Sequence, residues 1–111
     1  MSVFRTETDG KYEELIKNQC SRIIKSHEGS LMMVEVFFDN NHESEKHTHV
    51  HEQMTYCLEG EFDFYVEGKT EHIKAGDTIY FPSNIEHNCK VTSGRGRLLD
   101  VFTPVRQDFL K

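Results

Sequence analysis

The segment His47-Thr48-His49-Val50-His51-Glu52-Gln53 is the part of the chain most suited to metal chemistry. Residues two apart on a strand point the same way, so His47 and His49 can direct two imidazoles at one point. Gln53 can add an amide oxygen from the start of the next strand. Imidazole is a good ligand for zinc, nickel, iron and copper, so the pattern fits a metal site. A solvated, histidine-rich loop would look the same, and the pair alone does not decide between the two interpretations.

A second candidate lies near the C-terminus, where Asp100 interrupts an apolar strand and Arg106 follows shortly after. By alternation, Leu98, Asp100 and Phe102 share one face of that strand. If this face points outward, the carboxylate of Asp100 is merely solvated. If it points inward, Asp100 can act as a general acid or base. Arg106 can bind a carboxylate in bidentate fashion, or it can lie on the surface, paired with Asp108 or with nothing.

Short strands at close spacing must position these residues, which predicts an all-β sandwich or barrel. Tyr12 to Lys17 is expected to form a brief helix, and Gln107 to Lys111 a tail packed by Phe109 and Leu110. The predicted strands are Leu31 to Phe38, Gln53 to Leu58, Glu61 to Val66, Thr70 to Ile73, Thr78 to Phe81, His87 to Val91 and Arg97 to Phe102.

Length and charge restrict the function classes. A chain of 111 residues suits one domain, so a single domain over residues 1–111 is expected. The net charge of −6 argues against binding to nucleic acid or to anionic membranes. Cys20, Cys57 and Cys89 are too far apart for a zinc ribbon or redox motif. With no apolar signal segment at the N-terminus, the sequence predicts a reduced, cytoplasmic protein.

Two spaced motifs, at residues 47–60 and 76–87, resemble those of the cupin superfamily. The positions of the first motif are filled by His47, His49, Gln53 and Gly60, and those of the second by Gly76, Pro82, Asn84 and His87. The resemblance implies a single cupin domain, a double-stranded β-helix or jelly-roll barrel. It also implies one divalent metal ion held by His47, His49, Gln53 and His87.

The departures from the cupin motifs have chemical consequences. The glutamate of the first motif is Gln53, so the implied ligand set is neutral and the metal keeps its full charge, which polarises a bound oxygen well. Glu52 should point to the opposite face of the strand and is not expected to substitute. His51 is expected beside the site or in solvent. Asn84 replaces a glycine and can also adopt a positive φ.

The chain further resembles one group of small cupins, the pectin-degradation cupins that linearise 4,5-unsaturated uronate monosaccharides. The segment Leu31-Met32-Met33-Val34, the glutamine in the first motif and the stretch from Asp100 to Arg106 carry this resemblance, which spans Leu31 to Leu110. It implies that Asp100, Phe102 and Arg106 complete the active site. Arg106 would fix the substrate carboxylate, Asp100 would move protons, Phe102 would pack the sugar ring, and the product would be linear 5-keto-4-deoxyuronate.

Two other functions remain open from the sequence. The chain could be a cupin-type dioxygenase on a small organic substrate, with Cys57 and Cys89 facing inward as small core residues. It could also be a non-catalytic cupin that binds a sugar. The metal could be zinc, nickel, iron or manganese. A homodimer is expected because a partner commonly covers the exposed edges and faces of single cupin barrels.

Overall fold

Antiparallel strands dominate the computed structural model, which describes residues 2–111. Within this range nine strands are flanked by two short 3-10 helices, Glu7–Asp9 and Gln107–Leu110. The strands are β1 (Lys11–Ile16), β2 (Cys20–Glu28), β3 (Leu31–Phe38), β4 (Glu52–Glu59), β5 (Glu61–Val66), β6 (Lys69–Lys74), β7 (Thr78–Phe81), β8 (His87–Val91) and β9 (Gly96–Thr103). No helix within residues 2–111 is long and apolar enough to cross a membrane.

The strands form two sheets, and every pairing is antiparallel. Over residues 2–111 the larger sheet has the order β1-β2-β3-β9-β4-β7 and the smaller one the order β6-β5-β8. Consecutive strands such as β4 and β5 belong to different sheets, so the chain winds between them. This is the all-β jelly-roll barrel, or double-stranded β-helix, that the sequence predicted.

The main core fills the space between the two sheets. Phe62 of the smaller sheet is fully buried and meets Phe38 of the larger sheet edge-on, with ring centroids 5.2 Å apart. Burying a side chain of this size contributes about 1.5–3 kcal/mol. A second cluster is formed by Ile24, Met32, Val34 and Phe102. Phe109 and Leu110 pack against it, which confirms the predicted packing of the C-terminal tail.

Two tight turns explain why particular residues stand in the cupin motifs. Gly60 joins β4 to β5 with φ of 86°, and a Cβ there would lie 2.6 Å from the Arg95 carbonyl oxygen. Only glycine fits such a close approach. Asn84, which replaces the glycine of the second motif, has φ of 62°. Asparagine tolerates this left-handed conformation, as the sequence predicted.

The prediction of a helix over Tyr12 to Lys17 is wrong, because Lys11–Ile16 is strand β1. It pairs with β2 from Lys11 opposite Ile24 to Ile16 opposite Cys20. Ladder hydrogen bonds along a neighbouring strand outweigh the few bonds of an isolated one-turn helix. Strand β2 was not predicted. Nearly all of β1 is exposed, so the sequence of β1 lacks the alternation of apolar and polar residues that would have identified β1 as a strand.

The remaining strand predictions are confirmed. The bounds of β3, β5, β7 and β8 agree with the prediction, while β4, β6 and β9 extend one residue beyond it at both ends. These strands carry the cupin motifs, so the framework of the candidate site was predictable even though β1 and β2 were not.

Candidate metal centre

Three histidine side chains converge where the segment before β4 meets the start of β8. His47 and His87 form an isolated β-bridge, with amide-to-carbonyl distances of 3.1 and 3.0 Å. The Asn84 amide donates to the His49 carbonyl oxygen at 2.8 Å, so the turn before β8 also holds this segment. One ring nitrogen from each of His47, His49 and His87 lies within 4.8 Å of the other two. One metal ion can bridge such a spacing.

The protonation of the three imidazoles follows from their second nitrogens. Each Nδ1 lies within hydrogen-bond distance of a backbone carbonyl oxygen, which can only accept, so each Nδ1 carries the proton and each Nε2 keeps a lone pair. The partners are Glu45 for His47 at 3.0 Å, His51 for His49 at 2.9 Å and Ile85 for His87 at 2.9 Å. Metal-binding imidazoles are typically oriented in this way.

Gln53 adds an oxygen to this group of nitrogens. Its amide nitrogen donates to Thr55 Oγ1 at 2.9 Å, and the Thr55 hydroxyl donates to Asp100 Oδ1 at 2.7 Å. This chain turns Gln53 Oε1 toward His49 Nε2, 3.0 Å away. Two lone pairs that face each other at this distance repel unless a cation lies beside them. The residues present therefore fit a divalent transition metal with three imidazole ligands and one amide oxygen.

Burial keeps the imidazoles of His87 and His49 neutral. Desolvation, together with the smaller effects of the nearby His47, His49 and Arg106, lowers the pKa of His87 to about 4. Desolvation also lowers the pKa of His49. Aromatic rings enclose both side chains: Phe81 stacks on His87 with centroids 4.4 Å apart, and Phe102 meets His49 edge-on at 5.8 Å. Neutral imidazole is the form that binds metal, so these two groups are in the ligating state at neutral pH.

Asp100 lies on the inward face of β9, directly opposite Thr55 of β4. The Thr55 hydroxyl donates a hydrogen bond to its carboxylate, and the Gln53 amide lies close enough to lower its pKa as well. Desolvation raises the pKa of Asp100 to about 6, against the opposing effect of these hydrogen bonds and of Arg106. The carboxyl group is thus connected to the metal centre through side-chain hydrogen bonds.

Phe102 and Arg106 form the wall next to Asp100. Phe102 is 3% exposed, and the Arg106 guanidinium carbon lies 5.2 Å from the centre of its ring. The Arg106 side chain is only 13% exposed, yet it pairs with Asp108 through contacts of 2.8 and 3.2 Å. Both interpretations of Arg106 therefore hold in part, because it covers the site and is paired with Asp108.

These side chains share one cavity of about 170 Å³. Its lining includes His47, Gln53, His87, Asp100, Phe102 and Arg106, together with Arg22 and Phe109. Drug-sized ligands occupy about 300–1,000 Å³, so this cavity suits a single small molecule. Sequence reasoning missed Thr55 and Arg22. Thr55 could have been found because it lies two residues after Gln53 on the same face, whereas Arg22 lies on the unpredicted strand β2.

Four other residues singled out in the sequence lie outside the group of candidate ligands. His51 is not part of the trio, and its Nδ1 is buried without a hydrogen-bond partner among residues 2–111. Glu52 is exposed and accepts a hydrogen bond from the Tyr80 hydroxyl at 2.6 Å, so it faces away from Gln53 as expected. Cys57 and Cys89 are buried free thiols facing inward.

Similarity to known proteins agrees with this architecture. Residues 34–102 match the cupin domain family. The pectin degradation protein KdgF of Dickeya dadantii (strain 3937) is 35% identical over 81 residues, which cover 72% of this chain and 74% of that protein. The structure of KdgF from Halomonas sp. has a TM-score of 0.88 at 25% identity, covering 98% of this chain and 99% of the other. An RmlC-like cupin from Shewanella frigidimarina NCIMB 400 has a TM-score of 0.87 at 30% identity, covering 98% and 96%. The chain belongs to the cupin family.

Proposed function

We propose that this protein is a metal-dependent enzyme that converts 4,5-unsaturated uronate monosaccharides, from pectin or alginate breakdown, to linear 5-keto-4-deoxyuronate. The observation that carries the proposal is the chain of contacts from the histidine trio through Gln53 and Thr55 to Asp100, with Arg106 in the same cavity. The similarity to a protein named for pectin degradation supports this choice of substrate.

The proposed ligands of a single divalent metal are His47, His49, Gln53 and His87. All four are neutral, and the candidates for the ion are zinc, nickel, iron and manganese. Bound there, the metal would act as a Lewis acid on a substrate oxygen and stabilise negative charge that develops on it. Phe81 and Phe102 pack on the imidazoles of His87 and His49, so an electrostatic interaction beside these two rings is stronger than in solvent.

Arg106 holds the substrate carboxylate. Its guanidinium now forms a two-contact pair with Asp108, whose side chain is 56% exposed. A substrate carboxylate can take over the same geometry, because a guanidinium recognises both groups through two parallel N–H donors. Phe102 supplies an apolar surface for the sugar ring beside this contact.

Asp100 moves the proton. Ring opening is an isomerisation in which the hydroxyl at C1 loses a proton, the bond from C1 to the ring oxygen breaks and C4 gains a proton. No oxidant or reductant is consumed. Asp100 can accept the first proton and deliver the second, since Thr55 holds one carboxylate oxygen and leaves the group facing the cavity.

The test is turnover of 4,5-unsaturated galacturonate followed by NMR, with metal-loaded and chelated protein. We expect loss of the ring alkene only with metal, and collapse of the rate in Arg106→Ala. Arg95→Gln is the matched control, because Arg95 is an exposed arginine outside the cavity. If fully loaded protein gives only the spontaneous rate, the proposal fails. Oxygen uptake would then indicate a dioxygenase, and sugar binding without turnover a non-catalytic cupin.

The proposed setting is a single-domain homodimer in the cytoplasm, where the free thiols of Cys20, Cys57 and Cys89 stay reduced. The outward face of β4 exposes Met54 and Tyr56 at 62% and 43%. Their neighbours on the adjacent strands are also apolar, namely Val101, Leu99 and Tyr80. Because an apolar patch of this kind is self-complementary, a second copy is its proposed partner.

A further inference from the structure

Arg22 is a second cationic side chain in the cavity. It lies on β2 between Cys20, which also lines the cavity, and Ile24, which is buried in the core. Residues two apart on a strand share a face, so Arg22 points inward with both. Its side chain is only 13% exposed, the same fraction as that of Arg106.

The guanidinium of Arg22 makes few polar contacts with the rest of the protein. Among residues 2–111, its one polar partner is Glu13, whose Oε1 lies 3.4 Å from Arg22 Nε. Its carbon lies 3.7 Å from the centre of the Phe109 ring. A guanidinium has five N–H donors, so those on its two terminal nitrogens are available to a ligand. Among residues 2–111 only His51 Nδ1 is a buried side-chain nitrogen or oxygen without a partner, so the free donors of Arg22 are accessible from the cavity to a ligand.

The neighbouring charges distinguish Arg22 from Arg106. Both arginines have a carboxylate partner, but the Asp108 side chain is 56% exposed and can move into solvent, whereas the Glu13 side chain is 27% exposed. A substrate carboxylate placed beside Arg22 would therefore meet the retained negative charge of Glu13. A hydroxyl group both donates and accepts, and an arginine next to a glutamate satisfies both roles. Phe109 contacts both guanidinium groups, with Arg106 4.2 Å from its centre, so the two arginines flank one aromatic ring.

We infer that Arg22, with Glu13 as its acceptor partner, is a substrate-binding residue that holds the hydroxyl-bearing edge of the uronate, at C2 and C3. Arg106 holds the carboxylate of the same molecule. This inference rests on the proposed function for its substrate class. It adds that β1 and β2 form part of the binding site, and that the site recognises a sugar ring at two ends.

The experiment measures equilibrium binding of D-galacturonate, a saturated and unreactive uronate, to metal-loaded protein by titration calorimetry. Arg22→Gln should weaken binding about 10- to 100-fold, because hydrogen bonds to a charged group are lost. Arg22→Lys keeps the charge but cannot bridge two oxygens, so it should recover only part of the loss. Arg95→Gln, the matched control, should bind as the wild type does. The loss of affinity caused by Arg22→Gln should be smaller for galacturonate that lacks the 2-hydroxyl than for galacturonate itself.

A structural role for Arg22 would give a different pattern. If the residue only braces Phe109, Arg22→Gln would lower the melting temperature while the affinity of the folded fraction changed less than about threefold, which would overturn the inference. If Arg22→Gln does not fold, the affinity and melting temperature of Arg22→Lys and Glu13→Leu are compared with those of the wild type instead. Wild-type protein that binds but does not turn over uronates would refute only the proposed reaction. Wild-type turnover with unchanged affinity in the variants would refute only the role of Arg22, and no uronate binding at all would refute both.

Discussion

On β4, Gln53 and Thr55 point into the protein, whereas Met54 and Tyr56 point out to solvent. Strand β9 repeats the arrangement, with Asp100 inward and Val101 outward next to Met54. In most sheets with one exposed face, apolar side chains point inward and polar ones outward. Here two paired strands in the middle of the larger sheet carry the reverse pattern at these positions.

The polar side chains on the inner face of β4 and β9 and the apolar side chains on their outer face are accommodated in different ways. On the inner face, hydrogen bonds from Gln53 to Thr55 and from Thr55 to Asp100 satisfy the buried polar groups. On the outer face, no part of residues 2–111 covers Met54, which is 62% exposed. The polar groups of the inner face thus find partners within one chain, while the apolar side chains of the outer face are left exposed by it.

The strongest test of the inner face is removal of a histidine. His87→Ala should abolish metal binding and reduce turnover to the uncatalysed rate, since two imidazoles and an amide oxygen remain as a poor site. Metal content after gel filtration, measured by mass spectrometry, checks the first expectation. His72→Gln is the control, because His72 lies on the exposed side of β6 and pairs with Asp63 and Glu61. Full metal content in His87→Ala would contradict the proposed ligand set.

The next largest effect is expected at Asp100. Asp100→Asn should lower kcat about 10²- to 10⁴-fold, the range for loss of a general acid or base. The free energy of unfolding should fall by less than about 1 kcal/mol or rise, because asparagine still accepts from Thr55 and removes a poorly solvated carboxyl group. Chemical denaturation and NMR turnover separate the two quantities. Wild-type kcat with a large loss of stability would show that Asp100 is structural.

The resemblance to the cupin motifs, more than the local pattern, predicted that the three histidines meet. His47 and His49 two apart left a solvated loop equally open, and their place beside Gly60 and Asn84 at the motif positions favoured a common site. The inward direction of Asp100 was open from the sequence, since alternation gives the two faces of a strand but not which one is buried. The pairing of Asp100 with Thr55, which shares the buried face of β4 with Gln53, decides it.

The sequence could not predict the β1–β2 end of the cavity. Lys11–Ile16 is an exposed edge strand, and its apolar residues do not alternate with polar ones as they do in a half-buried strand. Long-range pairing with β2 determines its conformation, and so the position of Glu13 opposite Arg22. The outer apolar face was equally hidden, because exposed Met54 and Tyr56 resemble core residues in a sequence.

Met54→Glu tests the outer face. Burying a glutamate at the centre of an apolar interface should weaken a dimer by roughly 100-fold or more, which light scattering during gel filtration detects as a monomer at micromolar concentration. Metal content and kcat should stay near wild type, because the inner face is unchanged. Thr70→Glu adds the same charge to an exposed position of the smaller sheet and should leave the assembly intact. A wild-type protein that is monomeric at all concentrations would refute the proposed dimer.

The smallest expected effect, and the one that depends most on pH, is the change in melting temperature when His72 on the exposed side of the smaller sheet is replaced. There His72 lies 2.8 Å from Glu61 and 2.7 Å from Asp63, and hydrogen bonds to Glu61 and then Asp63 raise its pKa above the usual 6.5. Since the folded protein binds this proton more tightly, the stabilisation is complete below about pH 6.5 and is lost as the pH rises through the folded pKa. His72→Gln should therefore lower the melting temperature by about 1–3 °C at pH 5.5 and by less at pH 8.5. An equal loss of melting temperature at both pH values would mean that His72 stabilises the protein through packing. The outer face of the smaller sheet would then depend on packing rather than on charge.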